Sequence, residues 1–365
     1  MTTEPTTHDD ARDARQTQQF ETEAARPLRT DGGRPAADAD SGVASERVVI
    51  DGDALTDGGS DASRPPVVVK VGGARAVDPA GAVEDVAELV ADGREVVVVH
   101  GGSTAVDDTL EELGEEPTYV ETPGGVVGRF TDERTMEVFS MVMPGKLNTD
   151  LTVTLRNAGV DALGLSGVDG GLLTGPRKSA VRVIENGKKK IKRGDHSGKI
   201  TEVNGSLLET LLADGYTPVV TVPMLADDGV AVNADADRAA AAVAGALGAE
   251  LVVLTDVAGV YADPDDASTL IGSVSTPDEF DTLKDAAEGF MTKKVMAAKE
   301  ALDGGAVTVV VANANADDPI LAALDGSGTH IHASAVVDDA SEETDDTSGE
   351  TDDTGDDADE TEVTQ

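Results

Sequence analysis

Short apolar runs alternate with longer amphipathic segments along residues 65–332 of this chain. The run Val67–Val71 contains a single polar residue and no alternation, which indicates a strand buried on both faces of a parallel sheet. The pattern predicts strands at 67–71, 96–99, 162–165, 217–222, 251–254 and 307–311, the last of the set, and helices at 80–92, 133–142, 146–157, 206–214, 237–247 and 293–303. This alternation predicts a three-layer α/β/α sandwich around a mostly parallel sheet.

One segment departs from the alternation of strands and helices. Residues 180–184 and 189–192 flank Glu185-Asn186-Gly187-Lys188, in which the Asn-Gly pair is a strong signal for a β-hairpin. Because nothing in the pattern buries this hairpin on both faces, we expect it on the edge of the sheet.

The two ends of the chain differ from its middle in composition. Residues 1–64 contain almost no large apolar side chains, and residues 333–365 carry 14 acidic residues and no basic ones. Segments of this kind cannot bury a core, so both are predicted to be disordered, apart from a possible short helix within 11–25. The folded domain is therefore expected at 65–332.

The chain is strongly acidic, with 71 Asp and Glu residues against 28 Lys and Arg and a formal net charge of −43. This composition is typical of a high-salt cytoplasm, where salt screens the repulsion between surface carboxylates. It argues against a nucleic-acid partner, and the absence of cysteine excludes disulfides and thiolate chemistry. No apolar run approaches the roughly 20 residues of a membrane span, so we expect a cytoplasmic protein without a membrane contact.

Two predicted strands end in a glycine pair. Lys70 lies in the strand that ends at Gly72-Gly73, and the following strand ends at His100 and Gly101-Gly102. A lysine inside a buried strand needs a negative partner, and glycines let backbone N–H groups approach an anion closely. The pair of strands therefore predicts a phosphate site without a Walker sequence. For the first strand alone, a lysine that reaches solvent beside an ordinary turn is the alternative.

Five motifs follow one another in the expected folded domain. They are Lys70-Val71-Gly72-Gly73, His100-Gly101-Gly102, Asn233-Ala234-Asp235-Ala236-Asp237, Leu254-Thr255-Asp256-Val257-Ala258-Gly259-Val260-Tyr261 and Gly289-Phe290-Met291-Thr292-Lys293-Lys294-Val295. Together they resemble the amino acid kinase family, within its acetylglutamate kinase branch. The resemblance implies one sandwich with an acceptor-binding lobe at about 65–225 and an ATP-binding lobe at about 226–332.

The resemblance implies transfer of a phosphoryl group from ATP to a carboxylate. Lys70 and Lys294 resemble the lysines that neutralise the transferring group from the acceptor and nucleotide sides, and Asp237 resembles the carboxylate that holds both. Mg²⁺ would bridge the ATP phosphates without ligands from protein side chains. Since the acceptor is already ionised, no general base is needed, and His100 is expected to be structural. Taken alone, Asp237 also fits a helix-terminal acid and Lys294 a solvated lysine.

The same resemblance assigns binding residues. Gly72, Gly73, Gly101 and Gly102 would donate N–H groups to the phosphoryl oxygens, and the nucleotide side would be formed by Thr255, Asp256, Val257, Tyr261 and Met291. Arg129 resembles the arginine that binds the acceptor's α-carboxylate, and Asn233 would hold the acceptor's other polar end. For Asn233, a loop asparagine that bonds to backbone is the alternative. Two residues, Ser103 and Asp235, depart from the family pattern, so the pattern does not determine which molecule is the acceptor.

The predicted hairpin is unusually basic for so acidic a chain. Nine of the 28 basic residues lie between Arg177 and Lys199, opposed only by Glu185 and Asp195. Such concentrated charge suggests steering of an acidic macromolecule. The chain resembles the acetylglutamate kinase relatives whose acceptor is attached to a small acidic amino-group carrier protein, LysW. The carrier would dock on Lys188, Lys189, Lys190, Lys192 and Arg193.

The resemblance thus implies a kinase, with the homodimer usual for the family, that phosphorylates the side chain of LysW-linked glutamate or 2-aminoadipate in arginine or lysine biosynthesis. The sequence does not rank these two acceptors, which differ by one methylene. Two alternatives stay open: a kinase for free N-acetyl-L-glutamate, in which the hairpin has no role, and a non-catalytic regulatory protein of the same fold.

Overall fold

The computed structural model describes residues 64–72, 80–125, 127–185 and 187–337. Its strands are β1 (Val67–Val71), β2 (Val96–His100), β3 (Tyr119–Glu121), β4 (Val127–Arg129), β5 (Ala162–Gly167), β6 (Leu173–Gly175), β7 (Arg177–Glu185), β8 (Lys188–Gly198), β9 (Glu202–Val203), β10 (Thr217–Ala226), β11 (Ala231–Val232), β12 (Glu250–Thr255), β13 (Ser273–Val274), β14 (Thr308–Asn313) and β15 (Thr329–His332). Its helices are α1 (Ala80–Ala91), α2 (Ser103–Glu112), α3 (Glu133–Ser140), α4 (Asn148–Asn157), α5 (Gly205–Ala213), α6 (Ala236–Leu247), α7 (Pro277–Ala286), α8 (Phe290–Asp303) and α9 (Pro319–Leu324). Within these ranges no helix combines the length and apolar character needed to cross a membrane.

The predictions of disorder at the two ends fall almost entirely outside the described residues. The exceptions are Arg64, which is exposed, and the stretch 333–337, where Ala333–Ala335 form a 3-10 turn and Ala335 is buried. The residues of this turn pack with the folded domain, which therefore extends a little beyond the expected boundary at 332. The possible helix within 11–25 also lies outside the described residues.

Eleven strands form one sheet in the order β13-β15-β14-β12-β1-β2-β10-β6-β9, and β5 and β11 also pair with β10. Three pairs are antiparallel, namely β14 with β15, β6 with β9 and β10 with β11; the others are parallel. The predicted mostly parallel sheet is confirmed. The strand at Thr308–Asn313 is predicted to be the last one, but β15 (Thr329–His332) follows it and pairs with it in antiparallel orientation. The sequence does not predict β15, because its four residues are half polar and show no clear strand pattern.

Successive side chains of β1 point to two different cores, one on each face of the sheet. Val68 packs in the core shared with α6 and α8, whereas Val67 and Val69 pack in the core shared with α1 and α9. This alternation produces the three layers. Because Lys70 lies two residues after Val68, its side chain faces the α6 and α8 layer. His100 follows the other parity and faces the layer that contains α4.

Two β-hairpins lie outside the main sheet. Within the described residues, β3 pairs with β4 and β7 pairs with β8, each as a separate two-stranded sheet. The basic hairpin is therefore present as predicted, but it is a separate two-stranded sheet rather than an edge of the main one. Since β7 packs against β3, and β8 against α3 and β11, the two hairpins are neighbours.

The helices predicted on either side of Pro144-Gly145 are not separated by a break. Helix α3 passes through a π-helical turn, Met141–Leu147, directly into α4. Proline has no N–H to donate, and the wider π turn accommodates this missing hydrogen bond without ending the helix. The turn also places Leu147 against Gly102, where a Cβ would collide with the leucine side chain.

Candidate active site

Three of the predicted motifs lie together at the edge of the sheet where parallel strands reach their carboxyl ends. The neighbouring parallel strands β12, β1 and β2 end there, at Thr255, next to Gly72 and at His100. In open α/β sheets ligands bind beyond the carboxyl ends of the strands. The order of these three strands therefore brings the nucleotide and phosphate motifs side by side. Gly73 lies outside the described residues.

Two lysines share one carboxylate at this edge. Lys70 Nζ lies 2.6 Å from Asp237 Oδ1, and Lys294 Nζ lies 3.2 Å from Asp237 Oδ2. The side chains of Lys70, Asp237 and Lys294 are 8%, 15% and 13% exposed. Two cations and one anion leave one net positive charge in a largely buried place, which suits a ligand that carries negative charge.

The electrostatics of this cluster favour the charged form of Asp237 and disfavour that of Lys294. Burial raises the pKa of Asp237, but the charges of Lys70 and Lys294 and their hydrogen bonds outweigh it, so the pKa is lowered. Burial lowers the pKa of Lys294, and the positive charge of Lys70 lowers it further, while Asp237 acts in the opposite direction. A bound anion would relieve the repulsion between the two lysines.

Asp237 is held by the start of α6. The preceding Asp235 is the N-cap residue, and its Oδ1 accepts hydrogen bonds from the backbone N–H groups of Asp237 at 2.9 Å and Arg238 at 3.2 Å. Aspartate and asparagine are equally good N-caps. The departure from the family pattern at Asp235 therefore has a local explanation, which is the cap of the helix that carries Asp237.

The glycine turn after β2 offers fewer free donors than the sequence suggests. The N–H of Gly101 donates to the carbonyl of Val71 at 3.3 Å, so this group is already used within the protein. Gly102 has an extended φ of 167°, and its glycine identity is explained by the close packing of Leu147 rather than by strain. Ser103, the other departure, begins α2 and turns its carbonyl toward Arg129.

Arg129 on β4 is bound by an internal acidic partner that the sequence analysis missed. Its Nη2 lies 2.9 Å from Asp107 Oδ1 and donates to the Ser103 carbonyl at 2.7 Å and to the Tyr119 hydroxyl at 3.3 Å. The Tyr119 hydroxyl donates to Asp107 Oδ2 at 2.7 Å. The pKa of Tyr119 is raised, mainly because the hydroxyl is partly buried and also because it donates this hydrogen bond. Arg129 Nη1 is buried without a hydrogen-bond partner in the described structure. No local motif connects these three residues, so only the fold identifies them.

Asn233 lies next to the loop that follows Arg129. Its Nδ2 donates to the hydroxyl of the buried Thr131 at 3.0 Å. Its backbone N–H donates to the carbonyl of His196, near the end of β8, while the N–H of His196 donates to the carbonyl of Thr131. Asn233 therefore joins the Arg129 loop to the base of the basic hairpin. Its side chain is used for this connection in the described structure.

The residues predicted for the nucleotide side surround the end of β12 and the start of α8. Thr255 is buried and its hydroxyl donates to Asp256 Oδ1 at 3.1 Å, whereas Val257 is 38% exposed. Tyr261 forms an isolated bridge with Leu270. Met291 is partly buried against the core beside α6, in the same helix as Lys294.

The basic hairpin presents most of its charges to solvent. Lys188, Lys189, Lys190 and Arg193 are exposed, and the Lys190 ammonium pairs with Glu185 at 2.6 Å. Lys192 differs, because its Nζ lies 4.0 Å from the ring centroid of Phe130, the residue after Arg129. The hairpin thus contacts the segment that carries the predicted acceptor residue.

The fold and the buried lysine cluster define a class of phosphotransferase, and comparison with known families agrees. The chain belongs to the amino acid kinase family, whose family model matches residues 65–313. This confirms the family and the kinase class expected from the five motifs.

Two curated kinases and one solved structure show which members of the family this chain resembles. The chain is 45% identical over 264 residues to a LysW-aminoadipate kinase of Deinococcus radiodurans, covering 72% of this chain and 90% of the relative. It is 41% identical over 265 residues to an acetylglutamate kinase of Methanopyrus kandleri, covering 72% and 98%. A solved carbamate kinase of Giardia shares the fold, with a TM-score of 0.51 at 15% identity over 74% of this chain and 99% of that one.

Proposed function

We propose that this chain transfers the terminal phosphoryl group of ATP to the side-chain carboxylate of an amino acid linked to a LysW-like carrier. The observation that carries the proposal is the buried Lys70–Asp237–Lys294 cluster at the ends of β12, β1 and β2. Phosphoryl transfer needs mainly positioning and stabilisation of negative charge, and one net positive charge from two lysines supplies both.

In the proposed reaction an oxygen of the acceptor carboxylate forms a bond to the γ-phosphorus while the bond from phosphorus to the ADP oxygen breaks. No proton is transferred, because the acceptor is already ionised. Lys70 would act from the acceptor side and Lys294 from the nucleotide side, with Asp237 fixing both ammonium groups. When bound with ATP, Mg²⁺ supplies further neutralisation of the phosphate charge.

We propose glutamate or 2-aminoadipate on LysW as the acceptor, in lysine or arginine biosynthesis. The name of the Deinococcus relative supports this choice. The choice is also supported by the contact between the basic hairpin and the loop after Arg129. Lys192 lies over the ring of Phe130, and the backbone N–H of His196 donates to the carbonyl of Thr131. A carrier docked on the exposed lysines would bring its attached amino acid toward Arg129. Arg129 would bind a carboxylate of that amino acid.

The test is a hydroxylamine trap for the acyl phosphate, with ATP and three acceptors compared at fixed salt: LysW-linked glutamate, LysW-linked 2-aminoadipate and free N-acetylglutamate. We expect hydroxamate with a carrier-linked acceptor and little with the free one. Product from free N-acetylglutamate alone would instead support the second candidate, an acetylglutamate kinase, which the Methanopyrus relative favours. If no hydroxamate forms with any of the three acceptors, both candidate functions are contradicted.

A further inference from the structure

The side chain of Asn148, at the start of α4, is buried behind the glycine turn and has no part in the reaction described above. It is 4% exposed. Its Nδ2 donates to the backbone carbonyl of Val219 at 2.7 Å and lies 3.1 Å from Nε2 of His100. A carbonyl oxygen can only accept, so the amide must present its NH₂ group on this side. The second amide hydrogen is then directed to His100.

This donor fixes the state of the His100 ring. Because Nε2 accepts from Asn148, it carries no hydrogen, and the neutral ring holds its proton on Nδ1. Nδ1 lies 3.0 Å from the carbonyl of Gly101, to which it donates. Burial lowers the pKa of His100 and the charge of Lys70 adds to this, against the hydrogen bond to Gly101. The ring is thus neutral and joins Asn148 to the glycine turn.

Two packing features hold Asn148 in this place. Strand β5 has glycine at position 164, where a Cβ would collide with Asn148 Oδ1. The π-helical turn that precedes Asn148 brings Leu147 against Gly102. Consecutive residues of one helix therefore support consecutive parts of the turn, Leu147 at Gly102 and Asn148, through His100, at Gly101.

We infer that Asn148 is a positioning residue that fixes the Gly101-Gly102 turn by holding the His100 ring in its Nδ1–H form. The inference rests on the proposed phosphoryl transfer, in which this turn lies beside the transferring group. His100 points to the opposite face of the sheet from Lys70, so neither His100 nor Asn148 touches the reacting atoms. A turn whose Gly101 carbonyl is held in place presents the backbone N–H of the next residue, Gly102, in one orientation.

The first measurement is the tautomer of His100 in the full chain by ¹⁵N NMR of labelled histidines, without substrates, with the signal assigned by a His100→Gln variant. We expect a neutral ring with hydrogen on Nδ1, whose pKa lies below the ordinary histidine value because the ring is buried. In Asn148→Asp the carboxylate cannot donate to Nε2, and this signature should disappear. An Nε2–H ring in the unaltered chain would overturn the inference, whatever the acceptor proves to be.

The second measurement is steady-state kinetics of Asn148→Ala with the best acceptor from the trapping assay. We expect kcat to fall by roughly 10- to 100-fold, because the turn is misplaced in the transition state, while KM for ATP changes by less than about three-fold. Asn157→Ala, an exposed asparagine at the end of the same helix, is the matched control and should keep the unaltered kcat. An unaltered kcat in Asn148→Ala would contradict the positioning role. If that variant does not fold, the tautomer measurement on the unaltered chain still decides.

Discussion

Two groups of lysines in this protein lie in different environments, one buried in the fold and the other exposed to solvent. Lys70 and Lys294 are almost completely buried and share Asp237, whereas the lysines at the tip of the basic hairpin stand in solvent, with Lys190 and its partner Glu185 about half exposed. A buried charge interacts strongly and depends on its partner, while an exposed one is screened by water and salt. Loss of the buried lysines should therefore abolish most of the activity, whereas loss of the exposed lysines should only weaken the binding of the carrier.

The largest effect is expected when the buried lysines lose their common partner. Asp237→Asn leaves two neighbouring positive charges without a counter-charge and should lower the free energy of unfolding by about 3–5 kcal/mol near neutral pH. Because the pKa of Asp237 is lowered on folding, the unfolded state binds more protons as the pH falls below 3.8. The stabilisation by Asp237 is thus present above that value and is lost at lower pH.

Denaturant unfolding of both proteins from about pH 7 down to pH 3 measures this difference. The two stabilities should approach each other toward the acid end. Asp278→Asn, which alters an exposed acid in the first turn of α7, is the control for a simple helix-terminal effect. If both substitutions cost the same small amount, the lysine cluster does not depend on Asp237.

The next effect concerns turnover. Lys70→Ala and Lys294→Ala should each lower kcat by about 10²–10³-fold, since each removes a charge that stabilises the transferring phosphoryl group, with a smaller change in KM for ATP. Lys299→Ala is the control, because Lys299 is exposed on the same helix as Lys294 and pairs with the exposed Asp303. A loss confined to KM would make the altered lysine a residue for ground-state binding.

A smaller effect is expected at Arg129, which precedes the phenylalanine that Lys192 of the hairpin contacts. Asp107→Asn removes the charge that holds the guanidinium beside the Ser103 carbonyl and should raise KM for the acceptor by about 10-fold, with KM for ATP unchanged. Glu111→Gln, an exposed acid on the same helix, is the control. A lower acceptor KM in Asp107→Asn would mean that Asp107 competes with the acceptor's carboxylate instead of positioning Arg129.

The smallest effect belongs to the hairpin. The triple substitution of Lys188, Lys189 and Lys190 by glutamate keeps Lys192 on Phe130 and should raise KM for a carrier-linked acceptor by a factor of about 1.5–5 per lysine at low salt. The effect should shrink as salt is added, with no change in KM for ATP. Equal acceptor KM values for both proteins at low salt would remove the docking role of the hairpin.

The sequence alone determined what depends on local pattern. The continuous valines of β1 and β2 predicted buried parallel strands, the paired glycines predicted turns at their ends, and the Asn-Gly dipeptide predicted the basic hairpin. The order of the motifs was enough to identify the family. These features are encoded by residues close together in the chain, and for that reason they could be predicted without knowledge of the fold.

Only the tertiary structure decided which distant side chains meet. Lys70, Asp237 and Lys294 come together because β12 pairs with β1 and because residue 70 shares the sheet face of Val68, which α6 and α8 cover. The bonds of Arg129 to Asp107 and of Asn148 to His100 join separate elements and leave no trace in the local pattern. The π turn at Pro144 and the separate pairing of the basic hairpin were missed for the same reason. Hydrophobic period and turn chemistry specify each element, but strand order and packing decide what its side chains contact.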